Sequence, residues 1–439
     1  MQTLAGGVYI TNKHLAASYV LPVPVQTLPP TSPVKKPRDG RLDVLRGLCL
    51  ANMVVVHLLD QGLHMPWIVS EIVMHWVRFA AGGFVMTSGL CIGAIHFNRA
   101  LDPAKRMSTY VSLVKRAGLV LLVHYFATFL SLLLIPIHGH EVQDVAKMAH
   151  DVLVFYTGYD LLLFYVFMLL VSPLIIELVR RVGARWVLLA SVAVFFWHYD
   201  NPYLQLWACE KDFPLVRWQL IFVIGLLLGS KLKQYDRLSN GARWKLMYGF
   251  VAAAFCIATL SAVERMGLVH APWYLAVTKM PLSILEVAHY VALASALGIL
   301  VDRYWSQLGG TKLEAVLKVV GVQSLMLWVV HVPIVANAAT LRWTVAVPLS
   351  LAAVWLTAVI GTWLGRQWSE TMKNLPKLGY VLPVVGSLFV VATLVRLEAP
   401  PHPIAAIPHE TLATQAFADD SVDSDLPIPI DDDSMTDAA

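Results

Sequence analysis

Long apolar runs recur through this sequence, and they constrain its fold more than any other feature. Only 14% of the residues are charged, whereas a soluble domain carries about 25%. Because backbone polar groups must be satisfied within a bilayer, the runs predict an all-α, polytopic transmembrane helix bundle with about 10–11 spans. The runs cover approximately residues 43–60, 71–98, 110–136, 158–179, 186–198, 215–232, 244–264, 281–302, 320–341, 345–366 and 379–397.

The two ends of the chain differ in composition from this apolar part. Residues 1–40 are rich in proline and carry a basic patch, and they predict a disordered cytoplasmic N-terminal tail. Residues 41–397 form the predicted transmembrane domain. Residues 398–439 contain clustered aspartates and predict a disordered acidic C-terminal tail.

Lysine and arginine cluster in alternate loops between the apolar runs, and the loops between those clusters hold few basic residues. The positive-inside rule then places the N-terminus in the cytoplasm of a multi-pass protein of the inner (plasma) membrane. An odd number of spans places the acidic tail outside. If the run at 379–397 does not cross, that tail is cytoplasmic instead.

The first run holds ionisable groups where a plain membrane anchor needs none. Arg46 and His57 are eleven residues apart, a spacing that returns to about the same helix face and rises about 16 Å. Asp43 lies one turn before Arg46. At this depth such groups mark a site by default. Arg46 suits a phosphate-bearing donor, and a neutral His57 could accept a hydroxyl proton. The alternative is a headgroup anchor and a hydrogen-bonded structural histidine.

Three further candidates lie in the second and third runs. Ser88 follows small residues that permit close helix packing, and its hydroxyl either contacts a ligand or bonds its own helix backbone. Lys115 and Arg116 begin an apolar stretch and suit the binding of a donor phosphate. Their alternative role is that of interfacial anchors.

Later runs add an aromatic pair and three ionisable residues. Arg217 and Trp218 open the sixth run at the expected outer surface, where they could bind a sugar or belong to the aromatic belt. Glu286 and His289, one turn apart, suit an acid–base or orienting pair, with an interhelical hydrogen bond as the alternative. His331 lies in mid-membrane in the ninth run and is a possible helper.

No cluster in the sequence has the spacing of metal ligands, and no P-loop, GxSxG or HExxH motif occurs. We therefore expect no metal and no nucleic-acid partner. We expect the lipid bilayer to be the chain's surroundings.

Several of these segments resemble a known family. Arg41–Leu48 followed by His57 is similar to the first-helix motif of the acyltransferase-3 superfamily, and Phe84–Gly89 is similar to its second-helix motif. Further segments resemble the OpgC-type branch, whose namesake is linked to succinylation of periplasmic glucans; they are Arg116–His124, Leu163–Arg181, Phe213–Gly225 and Leu325–Pro333.

The resemblance implies a membrane acyltransferase with a core of about ten helices. It implies that acyl-CoA is the donor substrate on the cytoplasmic side, with no tightly bound cofactor, and that an extracytoplasmic carbohydrate hydroxyl is the acceptor. It also implies that His57 is catalytic and Arg46 essential. The chain departs from the OpgC-type pattern at Val56, Gly82 and Gly83, where that branch has acidic residues. The resemblance therefore supports the superfamily more directly than it supports a succinyl donor or a glucan acceptor.

Three functions remain open at this point. The first is O-acyl transfer, succinyl or acetyl, from acyl-CoA to a carbohydrate such as a glucan. The second is transport or export of a sugar or lipid-linked substrate, with membrane histidines as proton relays. The third is a non-catalytic membrane scaffold. Arg46, His57 and Ser88 together favour acyl transfer.

Overall fold

The computed structural model describes residues 39–61, 63, 65–134, 160–197, 215–265, 267–268, 282–338 and 340–371. Backbone contacts divide the chain into Met1–Asp39 and Gly40–Ala439. All helices of the described residues belong to the second unit. The predicted N-terminal tail (apart from its last residues), the eleventh apolar run and the acidic C-terminal tail lie outside the described residues.

The described residues form helices joined by short turns, and no strand occurs among them. The helices before the first long gap are α1 (Gly40–Asp60), α2 (Trp67–Val77), α3 (Ala80–Ile92), α4 (Asn98–Ala100) and α5 (Pro103–Leu134), with a π-helical segment at Gly93–Phe97 between α3 and α4. The later ones are α6 (Asp160–Val182), α7 (Ala184–Trp197), α8 (Leu215–Ser230), α9 (Leu232–Tyr235), α10 (Asn240–Arg265), α11 (Ile284–Arg303), α12 (Trp305–Leu308), α13 (Lys312–Val322), α14 (Ser324–Ala338) and α15 (Trp343–Thr371).

The all-α polytopic bundle is confirmed. Within the described ranges, seven helices are long and apolar enough to cross a membrane, or eight if one bent pair counts as a span. They are Gly40–Asp60, Ala80–Ala100, Pro103–Ala127, Leu161–Val182, Asn240–Glu264, Ile284–Arg303 and Trp343–Gln367. The fifth and sixth apolar runs correspond to α7 and α8, which have only 14 and 16 residues.

Two runs that the sequence predicts as single spans are interrupted. The second run breaks at Arg78 and Phe79, between α2 and α3, and Arg78 forms an ion pair with Glu286 at the break. The ninth run breaks at Gln323, where α13 and α14 meet at 83°. Apolar residues lie on both sides of each break, so the polar residue at the break does not by itself predict that the helix is interrupted.

Glycines bring α3 and α8 into direct backbone contact. A Cβ on Gly89 would collide with the Phe222 carbonyl oxygen, and one on Gly225 would collide with that of Met86. The same relation holds one turn further along both helices, at Gly93 and Gly229. These two small-xxx-small patterns replace side-chain packing with backbone packing. Because the residue numbers of the contacts increase together along both helices, α3 and α8 run in the same direction.

Helix α1 makes a second contact of this kind with α13. A Cβ on Gly47 would meet the Leu317 carbonyl oxygen, and one on Gly321 would meet that of Asp43. Helices α3, α11 and α14 also pack against α1. The first helix is thus surrounded on several sides, and the part of its surface that carries Asp43 is buried.

An ion-pair network joins four helices at one end of the bundle, which we call the Arg41 end. Asp302 at the end of α11 pairs with Arg41 of α1 and with Arg243 of α10, and it accepts a hydrogen bond from the Tyr235 hydroxyl at 3.1 Å. His57 and Glu286 each lie 16 residues from this network along their helices, about 24 Å away. Both therefore belong to the opposite end, the His57 end.

Candidate functional site

His57 lies in the last turn of α1 and is partly open to its surroundings. Its side chain is 34% exposed, and its Nδ1 lies 3.8 Å from the Asp60 carboxylate one turn later. That distance is too long for a hydrogen bond but short enough for attraction when the imidazole is charged. An imidazole in this position can take up a proton and hold it beside a carboxylate.

A second imidazole lies against the first. The ring centroids of His57 and His331 are 5.2 Å apart, although the residues are 274 positions apart in sequence. His331 is completely buried, and its Nδ1 donates a hydrogen bond to the Leu327 carbonyl at 3.1 Å. This bond leaves Nε2 as the acceptor in the neutral ring, and Nε2 has no hydrogen-bond partner among the described residues.

A row of aromatic rings leads from this histidine pair towards Arg46. Trp328 lies 5.2 Å from His331, Phe84 stacks on Trp328 at 6.0 Å, and the Arg46 guanidinium lies 5.6 Å from the Phe84 ring centroid. The structure thereby connects Arg46 to His57 by packing as well as by their shared helix. Sequence reasoning did not select Trp328, although Phe84 lies inside the motif that contains Ser88.

Ser88 lies one turn beyond Phe84, beside the phenol of Tyr165. Tyr165 packs edge-on against Phe84, with ring centroids 5.8 Å apart, and it is also within electrostatic reach of Arg46. Ser88 thus lies beside the aromatic row rather than against lipid. Tyr165 is a site residue that sequence reasoning missed, because its own helix gives no signal for it.

Glu286 and His289 belong to a separate cluster at the His57 end. The Glu286 carboxylate is fully buried; Arg78 Nε lies 2.7 Å from one oxygen and His289 Nδ1 lies 3.9 Å from the other. Tyr290 adds a phenol to this carboxylate, and Ser283 caps the helix by accepting the Glu286 backbone N–H at 3.0 Å. Glu286 and His289 lie close together, and the Arg78 guanidinium neutralises the Glu286 carboxylate.

Arg217 and Trp218 lie deeper than the sequence suggests. Trp218 has no exposed surface and stacks on Tyr290 at 6.0 Å, and Arg217 beside it is buried. We expected an exposed rim at this position. The start of α8 is covered because Trp218 packs on Tyr290 of α11, whose ring lies against Gly82 of α3. A role for the pair in binding an acceptor stays a prediction.

The two expected donor-binding cations are about 100° apart around α5. At 100° per residue, Arg116 falls within the buried arc of this helix, and Lys115 falls outside it. Both side chains are exposed. The buried arc consists of Thr109, Leu113, Ala117, Val120, Val123, His124 and Ala127. Of the two cations, Arg116 is therefore the one on the side of α5 that faces the protein. Asp43, the remaining candidate, lies in the contact between α1 and α13.

No group of three or more potential metal ligands comes together within the described ranges. All of the described residues lie within the match to a family model whose description is "OpgC protein", which covers residues 38–374. No match was found among curated proteins or among solved structures. The match includes the histidine pair, the aromatic row and the Glu286 cluster. Since it extends over more than half of the sequence, the chain belongs to the OpgC protein family.

Proposed function

We propose that this protein is an integral membrane O-acyltransferase. It moves an acyl group, succinyl or acetyl, from cytoplasmic acyl-CoA to a hydroxyl of an extracytoplasmic carbohydrate such as a glucan. The observation that carries the proposal is the pairing of His57 with His331 at one end of an aromatic row that begins at Arg46.

His57 is the proposed base. Its imidazole takes the proton of the acceptor hydroxyl while the hydroxyl oxygen attacks the thioester carbonyl carbon. The new C–O bond forms, the C–S bond breaks, and the proton passes to the departing thiolate of CoA. Asp60, 3.8 Å from Nδ1, favours the charged imidazole that exists between these two proton transfers. Alternatively, His57 carries the acyl group transiently before the hydroxyl attacks.

His331 supports this role through ring contact. Its bond to the Leu327 carbonyl fixes the ring orientation, and its contact with Trp328 prevents rotation. A buried charge without a partner is costly, so His331 is neutral where it lies against His57. A neutral neighbour does not oppose protonation of His57 as a second imidazolium would.

Arg46 is proposed to bind the donor. It is half-buried, its Nε has no hydrogen-bond partner among the described residues, and its guanidinium faces the Phe84 ring. A planar cation in such a position suits the carbonyl or phosphate oxygens of acyl-CoA. Arg116 supports the nucleotide part of the donor. Asp43, Ser88, Glu286 and His289 stay possible helpers, and Arg217 with Trp218 a possible acceptor site.

The orientation belongs to the same proposal. Alternate basic loops support a cytoplasmic N-terminus in the inner (plasma) membrane, and the Arg41 end then faces the cytoplasm. Acyl-CoA would approach from the Arg41 end and the carbohydrate from the His57 end. Transfer across the membrane requires the two substrates to meet between Arg46 and His57.

The test is acyl transfer by the purified protein in liposomes. Labelled acetyl-CoA or succinyl-CoA is supplied with a glucan acceptor, and wild type is compared with His57→Ala. Loss of a general base should reduce the rate about 100-fold or more. Asp60→Ala is the matched variant in the same turn, and a smaller reduction is expected because it only supports the imidazole.

Two results would contradict the proposal in different ways. If His57→Ala forms product at the wild-type rate, His57 is not the catalytic residue. If no donor yields product with wild type, acyl transfer itself is wrong, and proton-gradient-dependent movement of a sugar would instead indicate the transporter. A wild-type product that disappears in His57→Ala supports the enzyme, and the preferred donor identifies the acyl group.

A further inference from the structure

Three side chains that carry hydrogen-bond donors contact one ring, that of Phe84. The Arg46 guanidinium carbon lies 5.6 Å from the ring centroid. Tyr165 packs edge-on at 5.8 Å, and Trp328 stacks on the ring at 6.0 Å. The three come from α1, α6 and α14, so three helices each bring a donor to the same part of the bundle.

The described part of the protein supplies no acceptor for these donors. Arg46 Nε, Tyr165 Oη and Trp328 Nε1 are all buried, and each has no hydrogen-bond partner among the described residues. The Ser88 hydroxyl lies beside Tyr165 Oη, but outside hydrogen-bond geometry. Tyr165 and Trp328 are each only 7% exposed. A buried donor without an acceptor is unfavourable, so the cluster is suited to a ligand that brings oxygen atoms.

The character of the donors indicates the kind of oxygen that they match. Tyr165 and Trp328 are neutral, and Arg46 is the one cation of the three. Aromatic rings surround them, since Phe84 contacts all three and Phe164 lies 5.6 Å from the Tyr165 ring. A buried phosphate would need more than one cation to balance its charge. A largely apolar chain with neutral carbonyl oxygens at intervals fits this set better.

The position of the cluster limits the ligand further. Arg46 and His57 are about 16 Å apart along α1. Trp328 lies between the two, because its ring is 5.2 Å from His331, which contacts His57. Tyr165 lies on the Arg46 side of this row. In acyl-CoA, the pantetheine arm is the part between the phosphates and the thioester, and it carries two amide carbonyls separated by methylene groups.

We propose that the aromatic row binds the pantetheine arm of the donor through these amide oxygens. Tyr165 Oη donates to the amide nearer the nucleotide, and Trp328 Nε1 donates to the amide nearer the sulfur. The thioester then lies beyond Trp328, beside the histidine pair. This assignment rests on the proposed acyltransferase function, and it gives Tyr165 and Trp328 a binding role that the proposed function does not include.

The first test is thermal unfolding of the purified protein in detergent with and without CoA. Tyr165→Phe removes only the hydroxyl, which has no partner in the described protein, so the variant should unfold at the wild-type temperature or slightly above it. CoA should stabilise the variant less than wild type, and its Kd should be about threefold to tenfold higher. Adenosine 3′,5′-bisphosphate, which lacks the arm, should stabilise both proteins equally.

Tyr110→Phe is the matched control. The Tyr110 hydroxyl donates to Glu177 at 3.2 Å, so its removal should lower the unfolding temperature without changing the Kd for CoA. If Tyr165→Phe likewise unfolds at a lower temperature without ligand, its hydroxyl is bonded within the protein and the assignment is wrong. Equal Kd values for CoA in wild type and Tyr165→Phe would also overturn it.

The second test uses two donors that differ in the length of the arm. Acyl-CoA carries both amides, whereas the acyl thioester of N-acetylcysteamine keeps only the amide next to the sulfur. Tyr165→Phe should raise the KM for acyl-CoA about threefold to tenfold and leave that for the short donor unchanged. Trp328→Phe should raise both. An unchanged KM for both donors in either variant, or an equal change for both in Tyr165→Phe, would contradict the assignment.

Absence of acyl transfer in wild type would be a different result, because it concerns the proposed function. The unfolding experiment then still decides the question, since it needs no turnover. Stabilisation by CoA that is weaker in Tyr165→Phe and intact in Tyr110→Phe supports a site for the arm. No stabilisation of wild type by CoA overturns it.

Discussion

Two clusters of ionisable groups lie at the same end of the bundle, and they differ in how their charge is balanced. Glu286 is fully buried, but Arg78 lies 2.7 Å from it and His289 and Tyr290 surround it. His57 is partly exposed and lies against the neutral ring of His331. The charge of the first cluster is balanced within the cluster, whereas the second cluster is exposed enough to take up a proton or contact a substrate.

The difference indicates which cluster is built for stability and which for chemistry. A compensated buried ion pair is costly to break, because removal of one partner leaves the other charge without its counterion. The partly exposed His57 imidazole, which lies beside Asp60, can change its protonation state without leaving a buried charge unpaired. Proximity to the same membrane face does not make the two clusters equivalent.

The largest expected effect follows removal of the buried carboxylate. Glu286→Ala should lower the free energy of unfolding by about 3–5 kcal/mol, because Arg78 loses its partner. Thermal unfolding in detergent measures this loss. The double variant Arg78→Ala/Glu286→Ala should recover part of it. Unfolding of Glu286→Ala at the wild-type temperature would show that the ion pair does not stabilise the break between α2 and α3.

A matched pair of buried histidines distinguishes the two clusters by rate. His331→Gln should reduce kcat about tenfold, less than the roughly 100-fold loss of a general base, because His331 acts by positioning His57. It should also shift the pH profile of kcat, which a purely structural change would not do. His289→Gln should affect stability more than kcat. Equal losses of kcat in His331→Gln and His289→Gln would show that the two clusters do not differ in their contribution to catalysis.

A smaller effect is expected where the aromatic row meets the arginine. Phe84→Leu keeps an apolar side chain and removes the ring that faces Arg46. A cation–π contact is worth about 0.5–1 kcal/mol at a partly exposed site, so the KM for the donor should rise about twofold to fivefold. Steady-state kinetics with acyl-CoA measures this. A lower kcat with an unchanged KM would place the ring in the chemical step instead.

The smallest expected effect lies at the opposite end. Burial, followed by the adjacent Asp302 carboxylate, raises the pKa of Tyr235 to about 12. Asp302→Asn removes a negative charge that opposes the phenolate, so the pKa of Tyr235 should fall, but burial should keep it above its ordinary value. Absorbance titration of the phenolate, with Tyr235→Phe as the reference, detects the shift. A rise in that pKa would contradict the network.

Much of the local structure could be predicted, because apolar length and helical spacing are properties of the chain itself. The all-α bundle follows from the long runs, and the helix that carries Arg46 and His57 begins and ends within a few residues of the expected bounds. Glu286 and His289 are one turn apart by spacing alone, and the structure keeps them in contact. Positions three and four apart on a helix are neighbours whatever surrounds them.

Pairings between helices could not be predicted in this way. His331 contacts His57 from 274 positions away, and Arg78 compensates the charge of Glu286 from outside its helix. Trp328 packs between His331 and Phe84. Each break in the predicted spans falls at a polar residue, Arg78 or Gln323, but one polar residue inside an apolar run does not by itself indicate a break. Such contacts depend on which helix faces pack together, and no single helix specifies that.

The sequence by itself determined that this protein is a membrane helix bundle with ionisable groups on its first helix, since bilayer length and helical period act within each segment. Only the tertiary structure decided that Arg116 rather than Lys115 faces the protein, that Trp218 is buried, and that two imidazoles share one site. The physical reason is backbone packing at glycines. Contacts such as that of Gly225 with Met86 set which faces meet, and those faces select the residues that lie together.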